Sequence, residues 1–261
     1  MSKQLIDARL ALAEQIIHRE HGHKVSVSLA AEGFFIGGRN PDLGTSIETV
    51  WNVGGDETYV SDNLIDTISS SDAGDTQTCY IEGMTVSGGI FTRVTQTATL
   101  NGQNKVVLTT PLARVNRFRN TGSTDNTGDW YIYQDTAIVA GVPTDITKVH
   151  SKADAGANNH AKTAYTFASN QYFIVTHATF GAERQNIREV DFFSEERLAG
   201  SVFINRIEAT ASSPGSTNEL NLDPPYILRP NSDFRLRAIS SGTSTAAYGC
   251  IHGYIAQIVN P

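Results

Sequence analysis

From Val25 onward the chain is a close succession of strand-length runs, rich in Val, Ile, Thr, Phe and Tyr, cut by clusters of Gly, Asn, Asp and Ser. Val25-Ser-Val-Ser-Leu29 alternates with a period of two, the pattern of a strand with one apolar and one polar face. Runs of the same kind follow at Gln77 to Val86, Ile90 to Leu100, Lys105 to Thr110, Ala113 to Phe118, Trp130 to Gln134, Tyr172 to Phe180, Ser201 to Thr210 and Ala246 to Ile258. No helical crossover of the length that parallel strands require intervenes between the runs, so antiparallel pairing is expected. No fixed-period repeat is present, which favours a sandwich or jelly roll over a propeller.

Turn chemistry suggests how neighbours pair. Ser87-Gly88-Gly89 and Asn101-Gly102 sit between strand runs, and Asn-Gly supplies the left-handed conformations of a two-residue hairpin. Residues 77 to 110 are therefore expected to form an antiparallel meander, with a hairpin at Asn101-Gly102. Ser69 to Asp75, Asn120 to Gly128 and Ser212 to Asn218 are dense in turn formers and read as loops.

One helix is predicted, ahead of all these strands. Ile6, Leu10, Ala13 and Ile17 recur at helical spacing, and Leu5, Leu12 and Ile16 widen the stripe. Ser2 is a candidate N-cap, and Gly22 after His18, Arg19 and His21 is a stop with cations at the C-terminal end. The fold class that follows is mostly β: an antiparallel β-sandwich or jelly roll with an N-terminal helical arm. Residues 1–45 are the expected arm and residues 46–261 the body.

Charge narrows the function. Twenty Lys and Arg against 27 Asp and Glu give a formal net charge of −7, which disfavours a general nucleic-acid binder. That charge is modest for a chain with 39% hydrophobic residues, so disorder is excluded and a core is expected. The opening residues lack the apolar core of a secretory signal, and no run reaches the roughly 18 apolar residues of a membrane span. Cys79 and Cys250 both fall in predicted strands, where a thiol packs as a small apolar group, and no disulfide framework is indicated.

The side chains offer little chemistry. His18, His21 and His23 stand at i, i+3 and i+5 with Gly22 between them, which breaks the one-faced spacing of a zincin helix. They read as a polar helix terminus, and no metal is expected. Asp72 and Asp75 read as turn residues, since the alternating ligands of a calcium loop are missing. There is no nucleophile elbow, phosphate loop or dinucleotide fingerprint, so no catalytic residue and no cofactor is expected. Trp130-Tyr-Ile-Tyr133 alternates as packing aromatics do. Phe34-Phe35-Ile36, framed by Gly33 and Gly37-Gly38, is either an anchor for a neighbouring subunit or the first strand of the core.

Several phrases resemble those of virion structural proteins of tailed bacteriophages: Thr45-Ser-Ile-Glu-Thr-Val-Trp-Asn-Val-Gly-Gly-Asp56, Ile81-Glu-Gly83, Thr97-Ala-Thr-Leu-Asn-Gly102, Phe118-Arg-Asn-Thr-Gly122 and Asn126-Thr-Gly-Asp-Trp-Tyr-Ile132. Leu228-Arg-Pro-Asn-Ser-Asp-Phe-Arg-Leu-Arg-Ala238 and Gly253-Tyr-Ile-Ala256 continue the series. The resemblance implies a jelly-roll-like head decoration or cement protein. It would be non-enzymatic, made in the host bacterial cytoplasm, trimeric, and bound to the major capsid protein at capsomer junctions on the capsid surface. A tail, neck-fibre or receptor-binding component is the alternative, with Trp51 or Trp130 as exposed aromatics for carbohydrate. Under the assembly reading, Leu5, Ile6, Leu10, Ile17, Phe34 and Phe35 are the expected contact residues.

Overall fold

The computed structural model describes residues 3–27, 34–183, 188–213 and 217–259. Helix α1 (Lys3–His21) is followed by β1 (Val25–Val27), β2 (Phe34–Leu43) and β3 (Glu48–Thr49). Then come β4 (Ile65–Ser70), β5 (Thr78–Ser87), β6 (Ile90–Thr99), β7 (Val106–Leu112), β8 (Arg114–Asn120), β9 (Trp130–Gln134), β10 (Ile138–Val139), β11 (Val142–Pro143) and β12 (Val149–Ala153). The chain closes with β13 (Ala164–Phe167), β14 (Gln171–Glu183), β15 (Arg188–Leu198), β16 (Ile204–Ser213), β17 (Thr217–Leu228), β18 (Ser232–Ser240) and β19 (Thr245–Ile258). Every pairing among these strands is antiparallel.

The protein is an antiparallel β-sandwich architecture with two cores. In the lower sandwich, the sheet β1-β19-β14-β17, with β2 also on β19, faces the sheet β13-β18-β15-β16, with β3 on β18. Phe173, Val175, Phe180, Phe192, Leu236 and Ile251 fill the space between them. In the upper sandwich, the sheet β12-β9-β4-β7 faces β6-β5-β8 around Ile68, Ile81, Leu112, Phe118, Trp130 and Ile132. The upper sandwich is an insertion between β3 and β13. The chain leaves and returns side by side, through the Trp51 to Lys162 bridge and the bonds Asn52 N–H to Ala161 O and Thr163 N–H to Val50 O.

Helix α1 covers the outside of the lower sandwich. Strand β14 is apolar on both faces: Phe173 and Val175 point into the sandwich, while Tyr172 and Ile174 meet Leu10, Ala13 and Ile17 of the helix. A strand buried on both faces reads as a continuous apolar run, as Tyr172-Phe-Ile-Val175 does. Burying Leu10 and Ile17 stabilises the docked helix by about 1.5–3 kcal/mol each. Gly22 ends the helix in a left-handed conformation (φ +69°), and its N–H bonds the His18 carbonyl.

Three expectations need correction. The turn at Asn101-Gly102 forms, but β6 and β7 do not pair: β6 bonds β5, β7 bonds β4, and the turn carries the chain from one upper sheet to the other. Its backbone is held from outside, Gly102 N–H bonding Asp75 O and Ser70 N–H bonding Gly102 O. The segment 1–45 supplies β1 and β2, both hydrogen bonded to β19, so the expected boundary at residue 45 crosses a sheet and the chain divides instead at Trp51 and Lys162. Residues 217 and 218, expected in a loop, begin the long strand β17, which tolerates Pro224 and Pro225 because its register with β14 shifts there.

Candidate functional site

Where the upper sandwich stands on the lower one, the two enclose a cleft of about 580 Å³. One wall is the outer face of β6-β5-β8. On β5, Cys79 and Ile81 enter the upper core, so Tyr80 and Glu82 face out; on β8, Phe118 enters the core and Arg117 and Arg119 face out. Register sets Tyr80 beside Arg119 and Glu82 beside Arg117. Opposite them lie Phe34 of β2, Tyr165 of β13 and Gln171 of β14.

The cleft is electropositive within an acidic protein. Glu82 is the only acid among the described residues on its walls, and it is committed: Arg93 approaches it at 2.5 Å and the Tyr165 hydroxyl donates to it at 2.7 Å. Burial, with the Glu82 charge beside it, raises the Tyr165 phenol well above its ordinary range. Arg117 lies over the Phe34 ring at 4.7 Å and Arg119 over the Tyr80 ring at 5.1 Å. Neither guanidinium forms an ion pair among the described residues. At the floor, burial and then the Lys162 and Arg117 charges push the His160 imidazole down to about 3, so it stays neutral.

Beneath the cleft, buried polar groups join the two sandwiches. The Lys162 ammonium pairs with Glu57 and donates to the Val115 and His150 carbonyls at 3.0 Å each. Asp233 accepts from Arg114 at 2.8 Å, Arg197 at 2.8 Å and the Thr166 hydroxyl at 2.6 Å. Burial opposes the Asp233 charge, but these partners together hold its carboxyl below the ordinary range. The Asn116 amide bonds both backbone groups of Thr166, at 2.8 and 2.9 Å. Asn231 does the same between the Phe91 N–H and the Gly89 carbonyl, at 2.7 and 2.8 Å. Tyr59 packs between the Arg114 and Arg197 guanidiniums, and burial raises its phenol well above normal.

No protein-family model and no curated protein sequence matches the chain. Among solved structures, the infectious bursal disease virus Gt strain aligns at 10% identity over 90% of this chain and 73% of that one, with a TM-score of 0.23. The virus's VP2 subviral particle aligns at 11% identity over 90% and 70%, with a TM-score of 0.23. The Gx strain gives 9% identity over 93% and 76%, with a TM-score of 0.22. Superpositions this loose carry no weight for fold or function.

The expected contact residues scatter. Leu10 and Ile17 are buried against Tyr172 and Ile174, so within this chain they are intramolecular contacts and not a free assembly face. The side chains of Leu5 and Ile6 lie outside the described residues. Phe34 packs edge-on against Tyr165 and Phe173 as part of the first long strand, while Phe35, on the opposite face of that strand, is 53% exposed beside the His252 ring. Trp51 and Trp130, expected as exposed sugar platforms, are instead buried, because their indole N–H groups bond Gly54 and Gly55 carbonyls and the Asp75 carboxylate.

Other sequence candidates are bound up in the fold. Asp75 is a buried staple, accepting also from the Ser70 hydroxyl and the N–H groups of Thr127 and Gly128. His21 and His23 flank Tyr172, whose hydroxyl lies 2.7 Å from His23 Nδ1. No group of three His, Cys, Asp or Glu converges on a metal-sized site among the described residues. Cys79 and Cys250 are free thiols. The cleft arginines were missed, although Arg114-Val-Asn-Arg-Phe-Arg119 did carry a signal: two cations at i and i+2 flanking an apolar Phe on one strand.

Proposed function

We propose that this chain is a non-enzymatic virion structural protein, of the decoration or cement class, that reinforces a bacteriophage head by binding the major capsid protein at capsomer junctions as a trimer. The observation that carries the reading is the joining of two β-sandwiches by buried ionic ties. A component that braces a shell must pass strain through its own body, and a hinge between its halves would defeat it. Buried ion pairs add little net stability against apolar packing, but they penalise every misaligned arrangement of the halves. The resemblance of the ordered phrases to those of phage virion proteins supports that location, and the absence among the described residues of a helix long and apolar enough to span a membrane is compatible with it.

Purified protein sedimented with expanded heads of the particle that encodes it tests this reading. Saturable binding, in stoichiometry with the capsid protein and with density at capsomer junctions by cryo-electron microscopy, is the expected result. No saturable binding, or density confined to neck or tail, overturns it. The alternative of a tail, neck-fibre or receptor-binding component loses Trp51 and Trp130 to the core, and the interlobe cleft is the feature that favours it.

A further inference from the structure

We infer that the interlobe cleft binds an acidic saccharide, a sugar ring carrying a carboxylate, with Arg117 and Arg119 as the carboxylate-binding pair. This does not rest on the capsid reading and holds wherever in a particle the protein sits.

Four observations converge. Arg117 and Arg119 face the cleft from one strand face and lack a carboxylate partner among the described residues. Structural arginines in this protein are treated differently: Arg114, Arg197, Arg206, Arg229, Arg235 and Arg237 all pair with an acid. Each cleft guanidinium also lies on an aromatic ring, Phe34 or Tyr80. That stacking orients the planar fork and lowers the entropy lost when it grips a carboxylate.

The remaining walls specify more than charge. The exposed amides Asn159 and Gln257 add neutral donors and acceptors beside the two cations. A bare inorganic anion could accept from the amide N–H groups but would leave their carbonyl oxygens without a donor. A sugar acid uses both sets, its carboxylate on the arginines and its hydroxyls on the donors and acceptors of the amides. The volume of about 580 Å³ lies within the roughly 300–1,000 Å³ of small-molecule sites. A long polyanion such as nucleic acid would meet the field of a chain with net charge −7, whereas a short acidic saccharide meets mainly the local cations.

Titration calorimetry of the full chain with a glucuronate-containing tetrasaccharide tests the inference. The comparison probes are a neutral glucose tetrasaccharide and inorganic phosphate. Saturable binding of the acidic sugar is expected, weaker in added salt. It should weaken at least roughly tenfold in Arg119→Gln and Arg117→Gln, the loss of a charge-assisted bond, and be unchanged in Arg19→Gln, on the exposed helix terminus. Arg119 is exposed, so R119Q should keep its melting temperature and its loss of binding cannot be ascribed to misfolding. Equal affinity for the neutral sugar, phosphate binding as tight as the acidic sugar, indifference to R119Q, or no binding at about millimolar concentrations each overturns the inference. Head sedimentation in parallel tests the structural role separately.

Discussion

The Lys162 ammonium and the Glu57 carboxylate, 105 residues apart in sequence, meet as an ion pair that leaves only 3% and 2% of their side chains exposed. Glu57 comes from the segment entering the upper sandwich and Lys162 from the segment leaving it, so the pair closes the neck between the two cores. Removing one member strands a buried charge. Glu57→Gln should therefore cost about 3–5 kcal/mol, read as a lower urea midpoint with an unchanged slope. The double variant Glu57→Leu with Lys162→Met should recover much of that loss, since neither partner is then left charged and buried.

Stability should fall as pH drops below about 6.5. His150 is held at about 3 by burial and then by the Lys162 and Arg114 charges, and His160 at about 3 by burial and then by Lys162 and Arg117. A depressed native pKa means that the contribution is complete above the unfolded value and is lost as pH falls toward the folded one. Unfolding at pH 5 should thus take up about two protons at these residues, and His160→Gln should remove about one of them. The depressed Asp233 carboxyl adds a separate loss only below about pH 4, which Asp233→Asn should abolish. Urea unfolding at a series of pH values resolves both windows.

Helix α1 should be the easiest element to detach. Ile17 is fully buried against the outer face of the lower sandwich, and Ile17→Ala should cost about 2–5 kcal/mol. Limited proteolysis at His23 or Lys24, just after the helix, should accelerate in that variant and not in Leu12→Ala, whose side chain is 39% exposed.

Gly102 should resist substitution. Its φ of +55° is left-handed, and an added Cβ would run into the Ala73 carbonyl. Gly102→Ala should destabilise by about 2 kcal/mol or more, whereas Gly88→Ala, also at positive φ but with open space around it, should cost about 1 kcal/mol. Thermal melts of the two variants make the comparison.

Local chemistry was legible in the sequence, and partner choice was not. The α1 stripe with its Gly22 stop and the β5–β6 hairpin at Ser87-Gly88-Gly89 follow from periodicity and turn residues alone. Strand β4 did not stand out, because Ile65-Asp-Thr-Ile-Ser-Ser70 mixes apolar and small polar residues. The buried Ser70 hydroxyl bonds Asp75 five residues on, but the Ser69 hydroxyl is satisfied by the Gly141 carbonyl, 72 residues away, a partner that no local pattern announces. Asn101-Gly102 encodes a reversal, but which sheet receives the next strand depends on the groups holding the turn from residues 70 and 75. The cleft draws on β2, β5, β6, β8 and β13 together, and its electropositive character exists only once those strands are assembled.

The upper sandwich hangs from a doorway one strand pair wide, Trp51 facing Lys162. Backbones paired in this way lie about 5 Å apart, the separation that a simple hairpin turn also closes. For the backbone of the lower sandwich, 110 residues of insertion and a short turn close the same gap, and it is the side-chain seam that any shorter module would have to replace, since Asp233 would lose Arg114 and the Thr166 backbone would lose Asn116.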